Sequence, residues 1–211
     1  MLFDFDGVLV HGDTFYLFVR DRYARAWWLK LLAVLALPWL LLRLPFSRRA
    51  ALRTLVHIGL CGLDERRYRE AAARFAATLA RRPGQYCRDG LRQLRRHQAD
   101  GDRVPVVTGC EEMLARTVLA ELGLGGVELI ASTLRPGWSG PREGRHNVGR
   151  RKVEALAVAG IASCATAYSD SSRDIPMLKI AGEPVLVNAV PAVCKRVERA
   201  LGRPVGRVEW Y

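Results

Sequence analysis

Two carboxylates stand two residues apart in Asp4-Phe5-Asp6-Gly7-Val8-Leu9, and two more stand four apart in Tyr168-Ser169-Asp170-Ser171-Ser172-Arg173-Asp174. Each pair adjoins a short apolar run that reads as a buried strand. The carboxyl ends of strands are where open α/β sheets build their sites. Between the pairs, Val104-Pro105-Val106-Val107-Thr108-Gly109 ends a third apolar run in a hydroxyl and a glycine, ahead of a helix. A helix N-terminus offers free N–H groups and a positive dipole end, which suit phosphate. Lys152 opens a further helix after a glycine-containing loop. Carboxylate oxygens suit a hard cation such as Mg²⁺. Such a cation neutralises an anionic phosphoryl group that would otherwise repel a nucleophile.

Each group also has an ordinary reading. Asp4 and Asp6 fit a turn, Thr108 a helix N-cap, Asp170 and Asp174 caps of the following helix. Lys152 follows Arg150 and Arg151 and fits a solvated basic run. A compact ammonium nevertheless suits a point contact to phosphate better than a planar guanidinium.

The elements that must position these residues follow from the apolar pattern. Residues 2–5 read as the first strand, and Asp13 or Thr14 caps a helix starting near Phe15. Residues 50–60 and a stretch capped by Asp64 read as further helices. Tyr68, Ala72, Phe75 and Leu79 put one apolar face on the latter. After Gly84 helix and strand alternate: helix 87–98, strand 104–107, helix 111–122, strand 127–131, loop 136–149, helix 151–158, strand 165–168, helix 174–180, strand 185–187, helix 192–201. Such alternation predicts an α/β fold with a parallel sheet and helices on both faces. The expected domains are a core of residues 1–12 and 84–211, and an all-helical insertion of residues 13–83.

The tract Ala26 to Leu42, AWWLKLLAVLALPWLLL, is apolar on every side, with one charge, Lys30. As one helix it would be roughly 25 Å long, slightly short of a bilayer core of about 30 Å. Arg20, Arg22 and Arg25 flank one end; Arg43, Arg48 and Arg49 flank the other. The tract permits a membrane span, an interfacial helix, or a core or dimer contact within the insertion. A single span would put Asp4 and Asp170 on opposite sides of the membrane. The favoured reading is a surface-lying, membrane-associating segment, residues 26–44, with Trp27, Trp28 and Trp39 at headgroup depth and flanking arginines on anionic phosphates.

Composition sets the outer limits. The 211 residues carry 33 Lys+Arg against 21 Asp+Glu, a net charge of +12, and are 50% apolar. That much apolar surface excludes intrinsic disorder, and the charge calls for an anionic partner. No nucleic-acid motif accompanies it, so nucleic acid is not expected. Five scattered cysteines without CxxC spacing argue against a zinc site or disulfide framework and for reduced thiols. No basic n-region precedes an apolar stretch at Met1-Leu2-Phe3-Asp4, so no signal peptide is expected. His11 is placed near the first loop, and His97 and His146 are expected to face solvent.

The DxDG, hhhTG, Lys and SDxxxD elements, in this order across the whole chain, resemble those of haloacid dehalogenase superfamily phosphohydrolases. The helical insertion is similar to that family's cap. The DFDG start, the Trp/Leu-rich cap helix, LIAS at 129–132, the Gly137-Trp138 loop and YSDS resemble bacterial phosphatidylglycerophosphatase C more narrowly. The phosphoserine-phosphatase-like branch is the next best match. The resemblance implies a HAD-like Rossmannoid fold and Mg²⁺, held by Asp4, the Asp6 carbonyl and Asp170. It implies Asp4 as nucleophile through an aspartyl-phosphate and Asp6 as general acid and base. Thr108, Gly109 and Lys152 would bind phosphate, with Asp174 supporting. Val8 departs from the family's usual Thr, and Cys110 from a small polar residue. The implied substrate is phosphatidylglycerophosphate, at the cytoplasmic face of the bacterial inner membrane. The alternatives are a cytoplasmic phosphatase of a small metabolite and a non-catalytic basic module binding lipid or nucleic acid. Anionic phospholipid is the expected partner, and no protein partner is indicated.

Overall fold

The computed structural model describes residues 1–43 and 45–211, without the side chain of Arg49. The role expected of Arg49 and the Leu44 end of the apolar segment therefore lie outside the described residues. Strand β1 (Leu2–Phe3) leads into five helices: α1 (Thr14–Arg25), α2 (Trp27–Leu35), α3 (Leu37–Arg43), α4 (Arg48–Leu60) and α5 (Glu65–Ala80). The remainder alternates: α6 (Arg88–Ala99), β2 (Val106–Glu111), α7 (Glu112–Glu121), β3 (Leu129–Ser132), β4 (Leu134–Arg135), β5 (Arg142–Glu143), α8 (Arg150–Val158), β6 (Cys164–Ser169), a 3-10 turn (Ser172–Asp174), α9 (Ile175–Lys179), β7 (Ala181–Val187), α10 (Pro191–Leu201) and β8 (Gly206–Val208).

Six strands form a parallel sheet in the order β3-β2-β1-β6-β7-β8, while β4 and β5 make a separate antiparallel hairpin. Alternate residues of each strand face opposite sides of the sheet. Phe3, Val106, Tyr168 and Val187 join the cluster that includes residues of α1, α5, α6 and α7. Their neighbours Leu2, Val107, Ala167 and Leu186 join the cluster with α8, α9 and α10. This is the expected doubly covered α/β sheet. Helix α5 contributes Ala72, Phe75 and Leu79 to the same cluster as Phe3 and Leu114, so it is fastened to the sheet side. All five cysteines are free thiols.

Local signals set the helix starts. Asp13 accepts from the Tyr16 N–H, Ser47 from Ala50 and Asp64 from Arg67, each satisfying an otherwise unpaired donor. Several expectations are corrected. The first strand ends at Phe3, with Asp4 making one further hydrogen bond to the Tyr168 carbonyl before the chain turns at Asp6 and Gly7. Hairpin β4–β5 lies in and just before the expected loop, and β8 was not foreseen. His97 is not a solvent-facing side chain: it meets Asp102 at 3.0 Å and the Tyr168 hydroxyl at 3.1 Å. Tyr168 in turn stacks on Phe3 with ring centroids 4.4 Å apart.

The apolar tract is not one helix. It divides at Ala36 into α2 and α3. Pro38 falls in the first turn of α3, where its missing N–H costs no helical bond. Among the described residues no helix is long and apolar enough to cross a membrane.

Candidate active site

The carboxyl ends of β1, β2 and β6 meet over one pocket of about 380 Å³, lined by Asp4, Asp6, Gly109, Lys152, Asp170 and Asp174 among others. The backbone delivers them directly. The Asp4 N–H donates to the Tyr168 carbonyl at 2.9 Å, continuing the β1–β6 pairing into the first carboxylate. Gly7 then turns with φ +78°, and a Cβ there would overlap the Asp170 carboxylate. Glycine is therefore required for conformation and for space.

Lys152 is the electrostatic hub. Its ammonium is 2.9 Å from both Asp4 Oδ1 and Asp174 Oδ2, and its side chain is 3% exposed. Ser169 donates a second hydrogen bond to Asp174 Oδ2 at 2.8 Å. Burial pulls the ammonium down, but the two carboxylates more than offset this and leave it above its ordinary value. Asp174 is likewise pushed up by burial, yet Lys152 and the hydrogen bonds hold it below the usual carboxylate range. For Asp4 burial wins and its carboxyl is raised. One cation cannot fully compensate two buried carboxylates. Asp170 is raised too, first by burial and then by the Asp174 charge.

Asp6 is different. Burial pushes its carboxyl up to about 7, against the hydrogen bonds from Thr14. The Thr14 N–H donates to Asp6 Oδ1 at 2.9 Å. A carboxyl poised near neutrality can both give and take a proton.

The donor set fits a magnesium ion. Burial opposes ionisation of Asp4 and Asp170 together, and a divalent cation relieves that cost. Oδ1 of Asp4 is occupied by Lys152 and the Phe5 N–H, while Oδ2 accepts no protein donor among the described residues. Among those residues no three His, Cys, Asp or Glu side chains converge as a ligand cluster. The two carboxylates Asp4 and Asp170 suit Mg²⁺, which keeps several waters, rather than a fully caged metal.

The expected phosphate-binding turn at Thr108-Gly109 is built differently. Strand β2 continues through both residues to Glu111, with a register irregularity against β3 between Val107 and Glu111. Thr108 is fully buried and spends its Oγ1 on the Cys110 N–H, 2.9 Å away. Only Gly109 and Cys110 of this segment face the pocket. The following helix N-terminus is also taken: Glu111 accepts from the N–H groups of Met113 and Leu114. The chain's own carboxylate thus sits where an anion was expected. Burial pushes the Cys110 thiol well up, which keeps it inert.

Asn147 was not identified from sequence. Its Nδ2 donates to the carbonyls of Thr108, at 3.1 Å, and Ile130, at 3.0 Å. Ser132 braces the same turn by donating to the Gly109 carbonyl at 2.7 Å. Phe15 and Arg173 also line the pocket, as does His146; His11 does not. Trp27, Trp28, Trp39, Arg43 and Arg48 lie in α2–α4, and none lines this pocket.

A model of the haloacid dehalogenase-like hydrolases matches residues 1–179. The chain belongs to that family. Phosphoserine phosphatase SerB1 of Mycobacterium tuberculosis is 34% identical over 108 residues, covering 47% of this chain and 35% of that protein. The matched stretch is therefore about a third of the length of this relative. Among solved structures, a Bordetella pertussis Tohama I protein of unknown function aligns with a TM-score of 0.71 at 22% identity, covering 97% of this chain and 96% of that one. A substrate-bound phosphoserine phosphatase aligns with a TM-score of 0.58 at 20% identity, covering 92% and 88%. These two structures share the fold.

Proposed function

We propose that this chain is a Mg²⁺-dependent phosphomonoester hydrolase acting through an aspartyl-phosphate on Asp4. The observation that carries this reading is that Asp4, fixed by Lys152, lines one pocket with Asp6, whose carboxyl is raised to about 7. Asp4, the Asp6 carbonyl and Asp170 would hold Mg²⁺, which supplies charge neutralisation on the phosphoryl oxygens. The free carboxylate oxygen of Asp4 attacks phosphorus, and the ester P–O bond breaks. Asp6 gives its proton to the departing alkoxide. Asp6 then takes a proton from water, whose oxygen attacks phosphorus and releases phosphate and free Asp4. Lys152 orients Asp4, and Gly109 lines the wall beside the phosphoryl group.

For the substrate, the likeness to phosphoserine phosphatases supports a small cytoplasmic phosphomonoester. A second reading, phosphatidylglycerophosphate hydrolysed to phosphatidylglycerol at the cytoplasmic membrane face, is favoured by a neighbouring cavity. This cavity of about 730 Å³ shares Phe15, Gly109, His146, Val148 and Arg173 with the catalytic pocket. It adds Leu52, Val56 and Leu60 of α4, and the charged Arg53, Arg142 and Arg145 with the carboxylates Glu111 and Glu143, of which Glu143 pairs with Arg53 at 3.1 Å. An apolar wall beside arginines that outnumber the carboxylates suits a leaving group that carries both a tail and a second anion. Phosphate release with Mg²⁺ over phosphoserine, lysophosphatidate, phosphatidate and phosphatidylglycerophosphate separates the readings. Absence of release from every one, with chelator-sensitive release from none, would overturn the phosphatase assignment.

A further inference from the structure

Helices α2 and α3 expose an apolar face that the described residues leave largely uncovered; only Trp28 among its aromatic side chains reaches back, its ring tip lying against the Gly62 turn. On α2, Trp27 is 73% exposed, Leu35 68% and Val34 63%. With Leu31 and Trp28 they fall at helical spacing on one stripe. The fully buried Leu29 lies on the opposite side and anchors the helix. On α3, Leu41, Leu42 and Trp39 are exposed around the buried Leu40. Isolated exposed leucines need no explanation, but a contiguous patch of this kind marks an interaction surface.

Charge selects the occupant. The segment from Arg22 to Leu63 holds seven Lys and Arg and no Asp or Glu. Lys30, Arg43 and Arg48 are exposed and meet no carboxylate among the described residues. The Arg43 guanidinium lies 4.3 Å over the Trp39 ring, placing a cation at the edge of the apolar surface. A second copy of the chain would bring the same cations face to face and repel. An anionic lipid surface satisfies both features: acyl chains for the Trp/Leu stripe, phosphates for its cationic border.

We infer that α2 and α3 lie flat on an anionic bilayer surface, with Trp27, Trp28 and Trp39 at headgroup depth. This holds whichever phosphomonoester the catalytic pocket takes. The test is cosedimentation of the full chain with vesicles of phosphatidylglycerol and phosphatidylcholine, against vesicles of phosphatidylcholine alone. Binding to the anionic vesicles is expected, at least tenfold weaker on the neutral ones and weakened by added salt. Intrinsic Trp emission should shift to the blue and be quenched by lipids brominated near the headgroup. Trp27→Ser with Leu35→Ser should lower vesicle binding at least tenfold while the thermal melt stays in place. Asp4→Asn should bind as the unaltered chain does, which separates this surface from the hydrolase reading. A chain that stays in the supernatant at low salt would overturn the inference. So would equal binding to both vesicle types, or a dimer by analytical ultracentrifugation that the double substitution dissolves without any vesicle binding.

Discussion

The strand-end site and the α2–α3 face treat charge in opposite ways. In the site, Lys152 is almost wholly enclosed and touches two carboxylates. On α2–α3, cations and apolar side chains stand exposed with no carboxylate beside them among the described residues. Buried charge must be partnered within the molecule or it costs several kcal/mol. Exposed charge is solvated and remains available to something outside. The first arrangement fixes geometry; the second leaves a surface unsatisfied.

Substitutions should separate the two regions sharply. Asp4→Asn keeps the shape of the site but removes the nucleophile. Phosphate release should fall by at least about three orders of magnitude, read in a steady-state assay with Mg²⁺. Turnover near the original rate would remove Asp4 from the chemistry. Lys152→Ala leaves two carboxylates buried without their cation. It should cost about 3–5 kcal/mol of stability, measured by urea unfolding. An unchanged midpoint would show the site to be far wetter than its enclosure indicates.

The protonation of Asp6 gives a smaller and more specific effect. Its carboxyl is raised to about 7, so the acid form is present below that pH and lost above it. Release from an alkyl phosphomonoester, whose leaving group needs a proton, should fall about tenfold per pH unit above 7. An aryl phosphate, with a better leaving group, should show a flatter profile. Identical profiles would assign the proton to another donor. At the other extreme, Leu35→Ser on the exposed stripe should change stability by no more than about 0.5 kcal/mol. A large loss in a thermal melt would mean that this face is covered in the isolated chain.

Much of the site was legible because its residues sit at strand ends, where a change from apolar to polar residues marks the boundary. Asp4, Asp6, Lys152, Asp170 and Asp174 all line the one pocket. Thr108 does not end its strand as the apolar run predicts, because a short apolar run does not show where a strand stops. Three further residues keep β2 going, so the hydroxyl turns inward to the Cys110 N–H. Asn147 was invisible for a related reason: its carbonyl partners, Thr108 and Ile130, are 39 and 17 residues away. The apolar tract's composition predicts its exposed Trp/Leu face but its apolar run overstates its length, since Pro38 marks the start of a second helix at Leu37.

The sequence by itself determined the alternating core, the acidic strand ends and the acid-free cationic stretch around the tryptophans, because periodicity and residue type are local properties. Tertiary structure decided which oxygens meet Lys152, that burial raises the Asp6 carboxyl towards neutrality, and that the Trp/Leu stripe faces outward. Those outcomes depend on burial and on contacts between distant segments, and an isolated segment has neither until the chain closes around it.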